Sequence, residues 1–254
     1  KNMNNLKRFF PYVLIIVVSF FVFKPILTPG FFPVHDDTQV TRVFEMTKAL
    51  CEGMFPVRWS SNLGFGFGYP IFNFYAPFAY YIGGFLNLFL QDALVSTKIM
   101  MILAIVFSGV SMFVFAKEFF GKVGGLVSSV LYLYAPYNAL NIYVRGDVAE
   151  FYAYAIAPLV FWGLYKVAMK KDFKYIAVTS VLFALVVISH NLTAFMLTPF
   201  LVMFSLFLLL RERKSIKRLL ASLVLGLMLS LLVVQPVFSQ TSQEYRDLKK
   251  ELDS

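Results

Sequence analysis

Seven uncharged, histidine-free runs of fifteen or more residues read as spans in this chain: Phe9–Phe23, Ile99–Ala116, Val123–Val144, Phe151–Tyr165, Tyr175–Ser189, Asn191–Leu210 and Leu219–Gln243. A transmembrane helix needs about 20 mostly apolar residues, and a flanking lysine such as Lys24 lengthens a span by reaching to the interface. Only 15% of the 254 residues are charged and 59% are hydrophobic, against about 25% charged in soluble domains. The pattern predicts an all-α, polytopic transmembrane bundle in a single domain, 1–254. Its spans lie near 10–27, 98–116, 123–141, 151–168, 174–189, 192–210 and 219–238, with a long external loop over 28–97. No small-residue cleavage site follows the first span, so it reads as an uncleaved anchor and not a signal peptide.

An eighth uncharged run, Ser60–Gln91, is broken by Pro70, Pro77, Gly64, Gly66, Gly68 and the Gly83-Gly84 pair, residues that weaken a continuous helix. The distribution of Lys and Arg decides how to treat it. If segment 72–91 does not cross, residues 1–9, 117–122, 166–174 and 211–218 share one side. Those pieces hold 14 of the 23 basic residues. Basic residues in short loops mark the cytoplasmic side. If the segment crosses, the basic N-terminus and the three later clusters fall on opposite sides. The segment is therefore expected to be interfacial or re-entrant, with the N-terminus cytoplasmic in the cell membrane. The net charge of +9 then reports topology and gives no reason to expect nucleic acid as a partner.

With that parity, both histidines and 11 of the 14 acids face outside. In the first external loop, His35-Asp36-Asp37 precedes 38–52, where Val40, Val43, Phe44, Thr47, Leu50 and Cys51 recur at helical spacing. Thr38, Gln39, Thr41, Arg42, Glu45 and Lys48 take the other face. This predicts an amphipathic helix lying on the membrane surface with its charged face turned away. Gly53 is placed to end it and Asp36 or Asp37 to cap its start. One aspartate is explained by a cap. The His-Asp-Asp run exceeds what a cap needs, so a chemical role for the second carboxylate stands beside that reading.

The Gly-aromatic stretch Gly64–Pro70 lacks the Gly-Lys-Ser/Thr of a phosphate loop. The aromatic run Phe65 to Tyr81 suits a membrane-interface belt, with sugar stacking by Tyr69, Tyr75 or Tyr80 as the alternative. The second external loop carries Arg145-Gly146-Asp147 and Glu150. Arg145 and Asp147 either pair at a helix end or contribute to a site, with Arg145 holding phosphate oxygens. In the third loop His190 is either an interfacial hydrogen bonder or a ligand.

The order of these features resembles a known family. A basic N-terminus and one span are followed by an acidic motif heading a helix, then Gly53-x-x-Pro56-x-x-Trp59. Tyr69-Pro70-Ile71-Phe72-Asn73-Phe74-Tyr75-Ala76-Pro77 comes next, and an acid follows the third span. This is similar to the GT-C membrane glycosyltransferases, and most like the bacterial and archaeal membrane proteins labelled pyruvoyl-tetrahydropterin-synthase-related. No pterin or zinc site stands in the sequence. The resemblance implies an inverting glycosyltransferase that moves a sugar from a polyprenyl-phosphate donor to an acceptor outside the cell, with the lipid bilayer as partner. It implies catalytic roles for Asp36 and Asp37 and a second-loop acid at Asp147. Larger members carry further spans and an extracytoplasmic domain, so this chain is expected to be an N-terminal fragment.

In that chemistry a carboxylate takes the acceptor proton, with Asp36 as base and Asp37 as metal ligand or cap. Positive charge receives the departing phosphate, from Arg58, Arg145 and Arg42. Tyr69 and His190 complete the expected substrate contacts. Asp37, Asp147 and His35 form the expected set for Mg²⁺ or Mn²⁺. The rival readings are a transporter or lipid flippase, which would place ionisable groups or broken helices at mid-membrane, and a non-catalytic scaffold on a GT-C-like frame.

Overall fold

The computed structural model describes residues 2–75, 77–170 and 172–231, with the side chains of residues 2–8 and 74 outside that description. It is an all-α membrane bundle, and no strand longer than one bridge, Ser60 with Tyr69, occurs among the described residues. The helices are α1 (Asn2–Phe23), α2 (Gln39–Cys51), α3 (Ile71–Phe74), α4 (Pro77–Leu90), α5 (Ala93–Leu133), α6 (Pro136–Leu140), α7 (Val148–Met169), α8 (Phe173–Ser189) and α9 (Asn191–Arg211). A further helix occupies 216–231. The rest of the expected span 219–238 lies outside the described residues, as do Glu244, Asp247, Glu251 and Asp253.

Among the described residues, four stretches are long and apolar enough to cross a membrane: Phe9–Leu27, Ala93–Arg145, Val148–Met169 and Asn191–Arg211. The second contains two arms. At Gly121 the backbone takes φ 67 and ψ −172, a conformation open to glycine and costly for other residues, and the chain reverses. A Cβ on Gly125 would lie 3.0 Å from the Cβ of Lys117, and Ser129 Oγ donates to the Gly109 carbonyl at 2.7 Å. The loop expected at 117–122 is therefore a tight turn between antiparallel arms.

Helix α1 sits against both arms, with Tyr12 edge-on to Phe113 at 5.4 Å and Ile15 beside Gly109. Near its far end Tyr143 donates to the Val22 carbonyl. Helix α7 is the centre of the bundle: 72% of its apolar window is buried, against 22% for α1 and 28% for α9. Small residues let its neighbours approach, as expected where lipid removes the hydrophobic drive between helices. A Cβ on Gly163 would lie 2.4 Å from the Thr179 hydroxyl, and Ser180 Oγ donates to the Ser222 carbonyl at 2.9 Å.

The two ends of the bundle differ chemically. At one end Lys166 Nζ pairs with Glu118 at 2.8 Å, Trp162 donates to the same carboxylate at 3.2 Å, and Arg218 reaches the Ala168 carbonyl. The basic loops at 117–122, 166–174 and 211–218 thus meet at one end. The segment 28–92, the 141–150 turn and His190 meet at the other, where Lys98 donates to the Thr28 carbonyl and the Tyr75 and His190 rings stand edge to face at 6.4 Å.

Helix α4 has 14 residues, a length of about 21 Å against a hydrocarbon core of about 30 Å. Its Gly83-Gly84 pair serves close packing more than it breaks the helix. A Cβ on Gly83 would lie 2.6 Å from Val43 Cγ2, and one on Gly84 would lie 2.6 Å from Met46 Cγ. Helix α2 therefore lies directly on α4.

Helix α2 forms where the periodicity places it, but its facing corrects the expectation. Gln39, Glu45 and Met46 are buried while Phe44 is half exposed. Thr38 and Thr41 stay exposed and Val43 packs on Gly83 of α4 as the periodicity requires, but Gln39, Glu45 and half-buried Arg42 turn inward because they find partners there. Glu45 accepts from the Asn62 side chain at 2.7 Å and its backbone N–H at 3.1 Å. Gly53 does end the helix: its N–H bonds to the Leu50 carbonyl and that of Met54 to Ala49, satisfying the last carbonyls. The expected aspartate cap is absent. Thr38 occupies the capping position without a side-chain bond, and the backbone of Asp36 is engaged elsewhere.

Candidate functional site

The site is built where the 141–147 turn enters α7. The chain leaves α6 through a π-helical turn, Asn141–Arg145, and reverses at Gly146 with φ 71. Asp147 then caps α7, accepting from the Glu150 N–H at 3.0 Å. Glu150 stands in the first turn, where the helix dipole favours a negative charge. These local rules alone would produce an ordinary helix start. What distinguishes this one is the burial of both carboxylates, 6% and 7% exposed, and the convergence of other elements on them.

Arg145 pairs with Glu150 at 2.7 Å and lies 3.5 Å from Asp147. Tyr137 donates to Glu150 and accepts from Arg145 at 2.9 Å. From the α3–α4 connection, the Tyr75 hydroxyl donates to Asp147 at 3.1 Å. Burial pushes that hydroxyl upward, and the nearby Tyr80 and Asp147 add to the shift, so Tyr75 is a neutral donor at physiological pH. From the start of α9, His190 brings Nε2 to 3.9 Å from Asp147 while Nδ1 accepts from the Thr193 N–H at 3.2 Å. Asp147, Glu150 and His190 each offer a ligand atom, all within 4.8 Å of one another.

The first loop is stitched to this turn. The His35 N–H donates to the Val144 carbonyl at 2.9 Å and the Asp36 N–H to Arg145 at 2.8 Å. Gln39 donates to the Gly146 carbonyl at 2.8 Å and accepts from Tyr80 at 2.8 Å, which in turn accepts from Arg42 at 2.9 Å. Burial pushes the Tyr80 hydroxyl up to about 12; Arg42 opposes that shift, and the charges of Asp147 and Asp36 reinforce it. The Asp36 carboxylate remains 30% exposed, with His35 Nδ1 at 2.9 Å.

The structure brings together Asp36, Arg42, Arg145, Asp147 and His190 from the expected set. It does not bring in the others. Asp37 is exposed and His35, 85% exposed, points to Asp36, so the expected trio of Asp37, Asp147 and His35 is not assembled. Arg58 donates to Asn73 at 3.2 Å, and Tyr69 lies half exposed in the glycine-aromatic loop. Glu150, Tyr137 and Gln39 were not foreseen. The spacing of Asp147 and Glu150, three apart at a helix start, places them on one face and was the available signal for Glu150.

Below the site lies an apolar cavity of about 300 Å³. Its walls include Phe78 and Ile82 of α4, Leu103 and Phe107 of α5, Tyr152 of α7 and Leu182 of α8. Leu103 and Phe107 are also on the outer surface, so the cavity opens sideways. Phe78 stands edge-on to Tyr152 at 5.9 Å, and these residues closely follow Tyr75 and Glu150 in the chain.

No solved structure matches the chain. An uncharacterized protein of Lactococcus lactis subsp. cremoris (strain MG1363) is 23% identical over 207 residues, 79% of this chain and 34% of its own length. The chain thus spans about a third of that relative. A family model described as a 6-pyruvoyl-tetrahydropterin synthase related domain, membrane protein, matches residues 72–241. That stretch contains Tyr75, Tyr80, Arg145, Asp147, Glu150 and His190, and the match begins after Asp36 and Arg42. By this match over most of its length, the chain belongs to the 6-pyruvoyl-tetrahydropterin synthase related family of membrane proteins.

Proposed function

We propose that this domain transfers a sugar from a polyprenyl-phosphate-linked donor to an acceptor hydroxyl on the extracytoplasmic side of the membrane. The observation that carries the reading is the placement of a buried acid-base cluster at one end of the bundle, directly above an apolar cavity open to the side. A lipid-linked substrate presents that combination, a polar head at the interface and a chain in the bilayer. The end opposite the basic loops is the outer one by the positive-inside rule.

In this reading Asp36 is the base. Its carboxylate is accessible, whereas Asp147 and Glu150 are buried and committed to Arg145, Tyr137 and Tyr75. Asp36 takes the proton of the acceptor hydroxyl as that oxygen bonds to the anomeric carbon and the bond to the lipid phosphate breaks. Asp147, Glu150 and His190 would hold a divalent cation only if Arg145 and Tyr137 gave up the two carboxylates to it, and a nitrogen among oxygen ligands favours Mn²⁺ over Mg²⁺. As long as Nδ1 accepts the Thr193 N–H the ring proton sits on Nε2, so ligation through Nε2 would require that proton to move to Nδ1, exchanging the helix cap for a bond to the Thr193 hydroxyl at 2.7 Å. Such a cation would help neutralise the departing phosphate.

The test is sugar transfer by the full-length protein in membranes, with expression measured in parallel. Asp36→Asn is expected to lower the rate by about 10²–10⁴-fold, and Asp37→Asn to leave it near wild type. Full activity in Asp36→Asn would remove the assigned base. A transporter remains the second reading because the helix break at Pro136–Arg145 adjoins buried ionisable groups, as in transporter sites. Substrate accumulation in proteoliposomes without sugar transfer would favour it.

A further inference from the structure

The two arginines beside the site are not equivalent. Arg145 is held by two carboxylates, Glu150 at 2.7 Å and Asp147 at 3.5 Å. A guanidinium so occupied has little left to offer an anion.

Arg42 differs in every respect. It projects from α2 and is half-buried, with its guanidinium carbon 4.6 Å from the centroid of the Tyr75 ring and 5.7 Å from that of Tyr80. One terminal nitrogen donates to the Tyr80 hydroxyl at 2.9 Å. Its Nε is shielded from solvent and has no hydrogen-bond partner among the described residues. No carboxylate among them forms an ion pair with it. A desolvated charge is expensive unless it is paired and its donors are satisfied, and the two aromatic faces compensate only in part. The fold thus holds a cation in fixed orientation, with one donor unsatisfied and no counter-ion among the described residues.

The position of this charge is equally specific. Tyr75 presents its ring to Arg42 and its hydroxyl to Asp147, so an anion on Arg42 lies one tyrosine away from the carboxylate cluster. Phe78, three residues beyond Tyr75 in the chain, is in the wall of the apolar cavity.

We propose that Arg42, clamped by Tyr75 and Tyr80, is the seat of the substrate's phosphate, and that Arg145 is not. The chemistry recognised is a phosphate ester, carried by a polyprenyl phosphate or, in simplest form, inorganic phosphate. The lipid form rests on the glycosyl-transfer reading. The seat itself does not.

The experiment uses the full protein in nanodiscs, with a long-chain polyprenyl phosphate, the matching polyprenol and inorganic phosphate as probes. Arginine-specific labelling with phenylglyoxal, mapped by mass spectrometry, is run on the wild type with and without each probe. Binding of the same probes is measured for the wild type and Arg42→Gln. Polyprenyl phosphate is expected to protect Arg42 and leave Arg145 unchanged, the polyprenol is expected to protect neither, and Arg42→Gln is expected to bind polyprenyl phosphate about 10-fold or more weakly, the scale of a lost charge-assisted bond. Protection of Arg42 by inorganic phosphate with no added affinity for the polyprenyl form would keep the seat and overturn the lipid-linked donor. Undiminished binding by Arg42→Gln, binding without protection of Arg42, or no binding of either phosphate would overturn the seat. Should Arg42→Gln fail to fold, the wild-type protection pattern decides alone.

Discussion

The side-chain amide of Gln39 donates to the carbonyl of Gly146 across 2.8 Å, joining the start of α2 to the turn that aims Asp147. The same amide accepts from Tyr80, so one buried residue fixes three elements: α2, α4 and the entry to α7. Replacing Gln39 by Leu would strand the Tyr80 hydroxyl and the Gly146 carbonyl, each at a cost of about 1–3 kcal/mol. Thermal unfolding in detergent should show that loss, and Gln39→Glu should recover part of it by still accepting from Tyr80. Unchanged stability in Gln39→Leu would mean that water replaces both bonds.

Topology can be read with single cysteines in a Cys51-free background. Positions 38 and 61, exposed at one end, should react with a membrane-impermeant thiol reagent from outside. Positions 120, 174 and 214, exposed at the other, should react only after permeabilisation. External reaction at 174 and 214 would mean that α4 crosses the bilayer.

The Gly83-Gly84 contact predicts steric intolerance. Gly84→Val would drive a side chain into Met46, whose Cγ would lie 2.6 Å from a Cβ at that site. Overpacking typically costs about 1–3 kcal/mol, and displacement of α2 would carry Gln39 and Arg42 with it. Unfolding temperature and activity should therefore fall together. Met46→Ala in the same background should recover both by making room.

Cation binding predicts a ligand-dependent stability. Protein stripped with chelator should gain melting temperature on addition of Mn²⁺, because a ligand bound only by the folded state stabilises it. The gain should vanish in Asp147→Asn and His190→Ala. An equal gain in those variants, or none in the wild type, would leave Asp147, Glu150 and His190 as a capping and ion-pair network.

Much of the architecture was legible because hydrophobic run length reports directly on lipid, and the three later basic loops do gather at one end of the bundle. The reversal near 117–122, the helix beginning at Gln39 and its end at Gly53 all follow from local rules. The facing of α2 was not legible. Periodicity sorts residues by polarity and assumes the polar side meets water, whereas Gln39, Arg42 and Glu45 meet Gly146, Tyr80 and Asn62. The glycine pair read as a weak point in a helix because a close approach by another element leaves no local mark. Glu150 was passed over for the same reason: its importance lies in Tyr137 and Arg145 closing over it, a relation between helices.

Helix α7 carries a charged clasp at each extremity, Glu150 with Arg145 at one and Lys166 with Glu118 at the other. Tilting or sliding α7 would strain both clasps at once, so the helix behaves as a fixed post on which the carboxylates are mounted. Any motion that opens this end of the bundle would then fall to the lighter pieces leaning on that post. Those are α2 and α4, held to it through Gln39, Tyr75 and Tyr80, and their opening would separate Arg42 from Asp147 while leaving Asp147, Glu150 and Arg145 in register.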